Sequence, residues 1–175
     1  MKKGPRGFSL IELLIVVAII LIIAAIAIPN LLRSRIAANQ ASAVGSLRTL
    51  NTAEVTYSTT YNTGFSATLS DLGPAAAGQN TPTATAAGLV DEVLSGIGTA
   101  GGSAATAQTS SKSGYTFVYT PAATDLSGKI DYYTITASPI SVGTTGTNFY
   151  FTDQSGVIRQ NSTQMAGSSD SPLAG

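Results

Sequence analysis

The sequence predicts an α+β chain in which one long N-terminal helix is followed by a small antiparallel sheet. Three observations carry this expectation. Residues Phe8 to Ile28 are apolar except for Ser9 and Glu12. Apolar residues keep helical spacing well past that run, as far as Tyr61. From Tyr115 the period changes to two, with aromatic and β-branched residues taking alternate positions.

The first element is the apolar run. Twenty-one residues from Phe8 to Ile28 make a helix of ~32 Å, which matches the thickness of a hydrocarbon core. The segment is therefore able to span a membrane. Lys2, Lys3 and Arg6 precede it and Arg33 and Arg35 follow it, which leans the short basic segment toward the cytoplasm. An ordinary secretory signal is an alternative, with Ala25-Ile26-Ala27 as its cleavage site. The unbroken apolar stretch from Leu13 to Ile28 is longer than such a signal needs, and an internal acid works against it. A plain single-span anchor explains the length but gives Glu12 no role.

Glu12 lies four residues past Phe8, about 6 Å along a helix, within reach of the headgroups. At mid-membrane an ionised carboxylate costs about 2.5–3.5 kcal/mol on insertion scales, and polar groups there usually mark function. Among bundled apolar helices the same group needs a cation. No Lys or Arg occurs between Arg6 and Arg33.

The string Gly7-Phe8-Ser9-Leu10-Ile11-Glu12-Leu13-Leu14, preceded by a basic leader, resembles the processing site of the type IV pilins and the related type II secretion pseudopilins. Ala43-Val44-Gly45-Ser46-Leu47-Arg48 through Asn51-Thr52-Ala53-Glu54 is also similar to a group of bacterial pilins. The resemblance covers about a third of the chain. It implies that a prepilin peptidase cuts between Gly7 and Phe8 and methylates the new N-terminus on Phe8. It further implies that Glu12 pairs with that amine on a neighbouring subunit, which makes Glu12 the assembly residue. A buried ion pair of this kind serves as a register device.

The helix continues after Pro29. Leu32, Ile36, Ala43, Leu47, Leu50, Tyr57 and Tyr61 recur at steps of three, four or seven, with polar gap-fillers such as Gln40 and Glu54 between them. One helix is expected from about Ser9 to near Tyr57, ~75 Å long. Pro29 removes the hydrogen bond to the Ala25 carbonyl and is expected to kink the helix, as the resemblance also implies. The alternative is a boundary, with Pro29 opening a separate helix. Gly45 is a second weak point.

Beyond Tyr61, Gly64-Phe65, Leu69 and Leu72 suggest a short packed loop. The stretches 73–87 and 98–113, rich in Ala, Gly, Ser and Thr, read as surface loops. Between them Leu89, Val90, Val93, Leu94 and Ile97 predict a short amphipathic helix with Asp91 and Glu92 outward and Gly96 as its stop. Tyr115 to Thr120, Tyr132 to Ala137 and Phe149 to Thr152 predict strands. Asp153-Gln154-Ser155-Gly156 predicts a hairpin turn into Val157-Ile158-Arg159. Three or four antiparallel strands follow, and their apolar face must bury itself on the long helix. This arrangement resembles the pilin fold in general outline. The expected organisation is a leader over 1–7, a transmembrane and filament-core helix over 8–28, its continuation over 29–61 and a globular head over 62–175.

Composition excludes several functions. The chain has no cysteine and no histidine, so neither a disulfide nor an imidazole-based triad is available. No catalytic residue, cofactor or metal site is expected, and the chain is read as a non-enzyme. Many type IV pilins close a C-terminal loop with a disulfide; here packing and hydrogen bonds must hold it. Removing Lys2, Lys3 and Arg6 leaves six cations against nine anions, which leaves nucleic-acid binding unsupported. Arg33, Arg35 and Arg48 read as a solvated or inter-subunit helix face. No aromatic residue lies between Phe8 and Tyr57, which gives stacking along a filament core no support.

The resemblance implies a structural subunit that waits in the inner membrane as a single-pass protein, surrounded by lipid. After peptidase processing, an inner-membrane assembly platform builds it into a helical homo-oligomer, the extracellular pilus or fimbrium. The alternative within the class is a secretion pseudopilin, whose calcium site would need denser ligands than the single acids Asp125, Asp131 and Asp153. From another class comes a membrane-anchored periplasmic binding module, with the loops after Gly73 as its ligand surface.

Overall fold

The computed structural model describes residues 7–75, 81–97 and 108–173. Residues 1–6 of the expected leader and parts of both Ala- and Gly-rich stretches lie outside the described residues. A single helix, α1, runs Leu10–Tyr61, continuous through Pro29, so no helix boundary falls there. It ends at Tyr61, where the helical spacing and the expected continuation over 29–61 also end, because Asn62 adopts the left-handed φ of 55° that no helix can propagate. The chain divides into two units, with the division between Arg35 and Ile36. In the first unit the helical residues are exposed on every side, apart from the half-buried Ala24.

The second unit contains the rest of α1, a short 3-10 turn at Leu69–Leu72 and a sheet. The sheet has five strands, not three or four: β1 Thr109–Lys112, β2 Tyr115–Pro121, β3 Tyr133–Pro139, β4 Phe149–Asp153 and β5 Arg159–Asn161. They lie in chain order, and every neighbouring pair is antiparallel. The added strand is β1, which falls where a loop is expected. Its sequence Thr-Ser-Ser-Lys has no apolar alternation because it is an edge strand held by backbone pairing to β2, from Thr109 opposite Val118 to Lys112 opposite Tyr115. The hairpin turn after β4 forms as expected. The Gly156 N–H donates to the Asp153 carbonyl at 2.9 Å, with Gly156 at a φ of 73° that glycine adopts freely. The strand beyond it begins only at Arg159.

Residues 92–97 form successive turns where an amphipathic helix is expected. Gly88 and Gly96 bracket them with positive φ, which leaves too few residues to offset helix nucleation. The apolar pattern is honoured in part: Val90 and Leu94 are buried and Asp91 and Glu92 face solvent, but Val93, expected inward, is exposed. Asp91 also pairs with Lys112 of β1 at 2.6 Å.

The core sits between the second half of α1 and one face of the sheet. Leu47, Leu50, Ala53 and Tyr57 on the helix join Tyr115, Phe117 and Tyr119 of β2, and Tyr133, Ile135 and Ala137 of β3, in one buried cluster. The period-two alternation of β2 and β3 is the reason: every second residue points at the helix. Glu54, read from the sequence as a gap-filler, is instead fully buried in this core. Ser66 meets it twice, with its N–H 2.9 Å from Oε2 and its hydroxyl 2.6 Å from Oε1. One turn earlier, Asn51 donates to the Thr152 hydroxyl at 2.8 Å and accepts from the Tyr133 hydroxyl at 3.0 Å, which ties α1 to β4 and β3.

The C-terminal stretch folds back on β5. The Leu173 N–H donates to the Ile158 carbonyl at 2.7 Å. Asp170 gathers the loop: its Oδ1 accepts from Asn161 at 2.9 Å, its Oδ2 from the Gly167 N–H at 2.8 Å, and its carbonyl from Arg159 Nη1 at 2.8 Å.

Candidate functional site

The residues singled out by the sequence for assembly lie at the start of α1 and along its first unit. Gly7, Phe8 and Ser9 precede the helix, and Leu10 opens it. Ser9 therefore occupies the N-cap position and Glu12 the third residue of the helix. Glu12 Oε2 accepts the Ser9 backbone N–H at 2.9 Å, while the Ser9 carbonyl accepts the Leu13 N–H at 3.2 Å. The carboxylate thus satisfies a donor that the helix start leaves free, and its negative charge lies at the positive end of the helix dipole. This is the reach-back half of a capping box, whose Ser-x-x-Glu spacing is legible in the sequence before an apolar run.

Phe8 retains 75% of its accessible surface. A Cβ added at Gly7 would meet nothing within 4 Å. Nothing in the described subunit therefore demands glycine at position 7, so a requirement for it must come from outside the chain.

From Leu10 to Leu32 every large apolar side chain is exposed. The helix is long and apolar enough to cross a membrane. An all-round apolar surface of this extent far exceeds what a soluble monomer leaves in water, so it requires lipid or other helices around it. Arg33 and Arg35 mark the end of the apolar stretch, and both are exposed, as is Arg48 further along α1.

The scattered acids of the head act in turns. The Ser127 hydroxyl lies 2.7 Å from Asp125 Oδ1, which also accepts the Lys129 and Ser127 N–H groups at 2.8 Å each; the hydroxyl first, then these N–H groups, hold the carboxyl below the usual carboxylate range. Asp153 Oδ1 accepts the Ser155 N–H at 2.9 Å. Among the described residues, no group of three or more acidic side chains comes together as a metal site.

Comparison with known proteins agrees with this placement. Residues 2–28 match the family described as the prokaryotic N-terminal methylation motif. A stretch of 52 residues is 52% identical to the type IV major pilin protein PilA of Myxococcus xanthus, covering 30% of this chain and 24% of that protein. A stretch of 37 residues is 62% identical to the type IV wide pilus major component PilA4 of Thermus thermophilus, covering 21% of this chain and 28% of that one. The matched stretches thus span only about a quarter of each relative's length. No solved structure gives a significant match. In its N-terminal motif and in the matched stretches the chain is similar to type IV major pilins.

Proposed function

We propose that this chain is the structural subunit of a type IV pilus, a building block and not a catalyst. The observation that carries the reading is the fully exposed apolar helix from Leu10 to Leu32 with one carboxylate, Glu12, at its start. Residues 1–7 form a leader that a prepilin peptidase removes after Gly7, and Phe8 becomes the methylated N-terminus. Residues 8–28 hold the subunit in the inner membrane, with lipid around them, until an assembly platform draws it into a helical homo-oligomer that emerges as an extracellular filament.

In the filament, contacts with lipid are exchanged for contacts with neighbouring helices, so the net gain per residue is small and assembly can be reversed. A carboxylate leaving the headgroup region for that interior needs a cation. The α-amine created on Phe8 by cleavage supplies one at the same depth on the adjacent subunit, and the pair sets the register. Pro29, within a helix that otherwise keeps its backbone bonds, is the point at which the continuation over 29–61 bends to fit the filament.

The test is the N-terminal mass of protein sheared from surface filaments. The expected product begins at a methylated Phe8. A product that retains Met1 to Gly7, or that starts beyond Ile28, overturns the reading.

A further inference from the structure

The second unit carries a buried acid that filament assembly does not use. Glu54 has no accessible surface, and it lies 26 residues beyond Ile28, outside the membrane-spanning segment. The ionisable groups facing it are Tyr119 from β2, Tyr133 from β3, Asp71 from the 3-10 turn and Tyr57 from its own helix. None is a cation, and Asp71 carries the same sign. Among the described residues the one ion pair is Lys112 with Asp91.

The hydrogens around Glu54 can be counted. Tyr119 donates its hydroxyl proton to the Ser66 carbonyl at 2.7 Å. The Ser66 hydroxyl lies 2.6 Å from Glu54 Oε1 and 3.3 Å from the Tyr119 hydroxyl oxygen, yet it has a single proton to give. With an ionised Glu54 that proton goes to the carboxylate, and the Ser66–Tyr119 contact is left without one. With a neutral Glu54 the carboxyl O–H donates to Ser66 Oγ, Ser66 donates to Tyr119, and Tyr119 donates to the Ser66 carbonyl. Each contact then holds one proton, while the Ser66 N–H still donates to Oε2 at 2.9 Å.

We infer that Glu54 is kept as a neutral carboxylic acid and acts as a proton-dependent latch, fastening Ser66 and its loop to α1 and β2, so that a rise in pH loosens this corner of the core. Burial also pushes the Glu54 carboxyl above its usual range, hydrogen bonding from Ser66 and then Tyr119 offsetting only part of that and the Asp71 charge adding to it. The inference is independent of processing and filament assembly.

The sign follows from linkage. An acid whose folded pKa is raised binds its proton more tightly in the folded state. Its contribution is full below the unfolded value and is lost as pH rises toward the folded value. Chemical denaturation of the full-length chain in detergent micelles, from about pH 4 to about pH 9, tests this. The unfolding equilibrium constant of the wild type is expected to rise by up to about tenfold per pH unit in the window between the two values. Glu54→Gln, which keeps the shape of the neutral acid, is expected to flatten that rise. Parallel wild-type and Glu54→Gln profiles overturn the latch. Should the variant fail to fold, NMR titration of the wild-type carboxyl carbons decides, since the chain's glutamates are Glu12, Glu54 and Glu92 alone. A Glu54 midpoint above the usual range supports the latch, and one at or below it overturns it.

Discussion

The Glu12 carboxylate accepts the backbone N–H of Ser9 at 2.9 Å, so the acid at the start of α1 caps its own helix. In the proposed filament Glu12 would then have two separable roles, the cap within the chain and the charge partner between chains. Glutamine at the third helical position can also reach back to the N-cap, but it carries no charge. Glu12→Gln is therefore expected to preserve cleavage and membrane insertion while filament yield collapses. Normal filaments from Glu12→Gln would show that the cap suffices and would remove the intermolecular pair.

At Gly7, space within the subunit is open. Gly7→Leu is expected to leave the fold and membrane insertion unchanged and to accumulate the uncut precursor, because a peptidase must bring the backbone close. Mass spectrometry of the membrane fraction reads this directly. A Gly7→Leu chain trimmed to Phe8 at the wild-type rate would refute the assignment.

Asn51 links three elements through its side-chain amide. Asn51→Leu removes the bonds to Thr152 and Tyr133 and a longer one, 3.3 Å, to the Gly156 carbonyl, and leaves the Tyr133 and Thr152 hydroxyls buried without their amide partner. The expected loss is about 1–3 kcal/mol per stranded group, read as a lower denaturation midpoint of the full chain. By contrast, Thr52→Ala at the exposed neighbouring position loses only a bond to the Arg48 carbonyl, and its effect is expected to stay within about 0.5 kcal/mol.

Gly146 lies directly against the Tyr115 ring, closer than any Cβ could be accommodated. Gly146→Ala must displace the ring and weaken its 2.8 Å bond to the Asn148 carbonyl. Overpacking of this kind costs about 1–3 kcal/mol. Equal thermal stability of the variant and wild type would contradict the packing described.

Burial raises the phenol of Tyr115 to about 12, with the Tyr150 phenol adding to the shift. The same burial raises Tyr119 and Tyr133 further. Because the neutral phenol is the form the core accommodates, stability is expected to fall as pH rises from the ordinary tyrosine value toward about 12. Phenolate absorbance from these residues should therefore appear together with loss of tertiary structure. Ionisation of all of them in a still-folded chain would sink this expectation.

Much of the architecture is legible because its causes are local and periodic. The unbroken apolar run and its continuation at helical spacing specify α1, and alternation at Tyr115, Phe117 and Tyr119 specifies which face of β2 is buried. Strand β1 escapes detection because an edge strand is defined by its neighbour's backbone and not by its own side chains. The turns at 92–97 escape it because the seven residues between Gly88 and Gly96 carry an amphipathic pattern too short to nucleate a helix. Glu54 is the clearest case. A glutamate on a helix reads as a solvent-facing residue, and only the distant Ser66 and Tyr119 make its burial possible. At the N-terminus the Ser9-x-x-Glu12 spacing does carry the cap, but attention to a charge partner for the acid conceals it.

The loop gathered by Asp170 is closed by hydrogen bonds and by the packing of Ala166 and Leu173, in a chain without sulfur cross-links. Its closure needs no oxidant and no disulfide isomerase. The same loop forms in reducing and in oxidising surroundings, so reductants that open cystine-stapled proteins find nothing here to cleave.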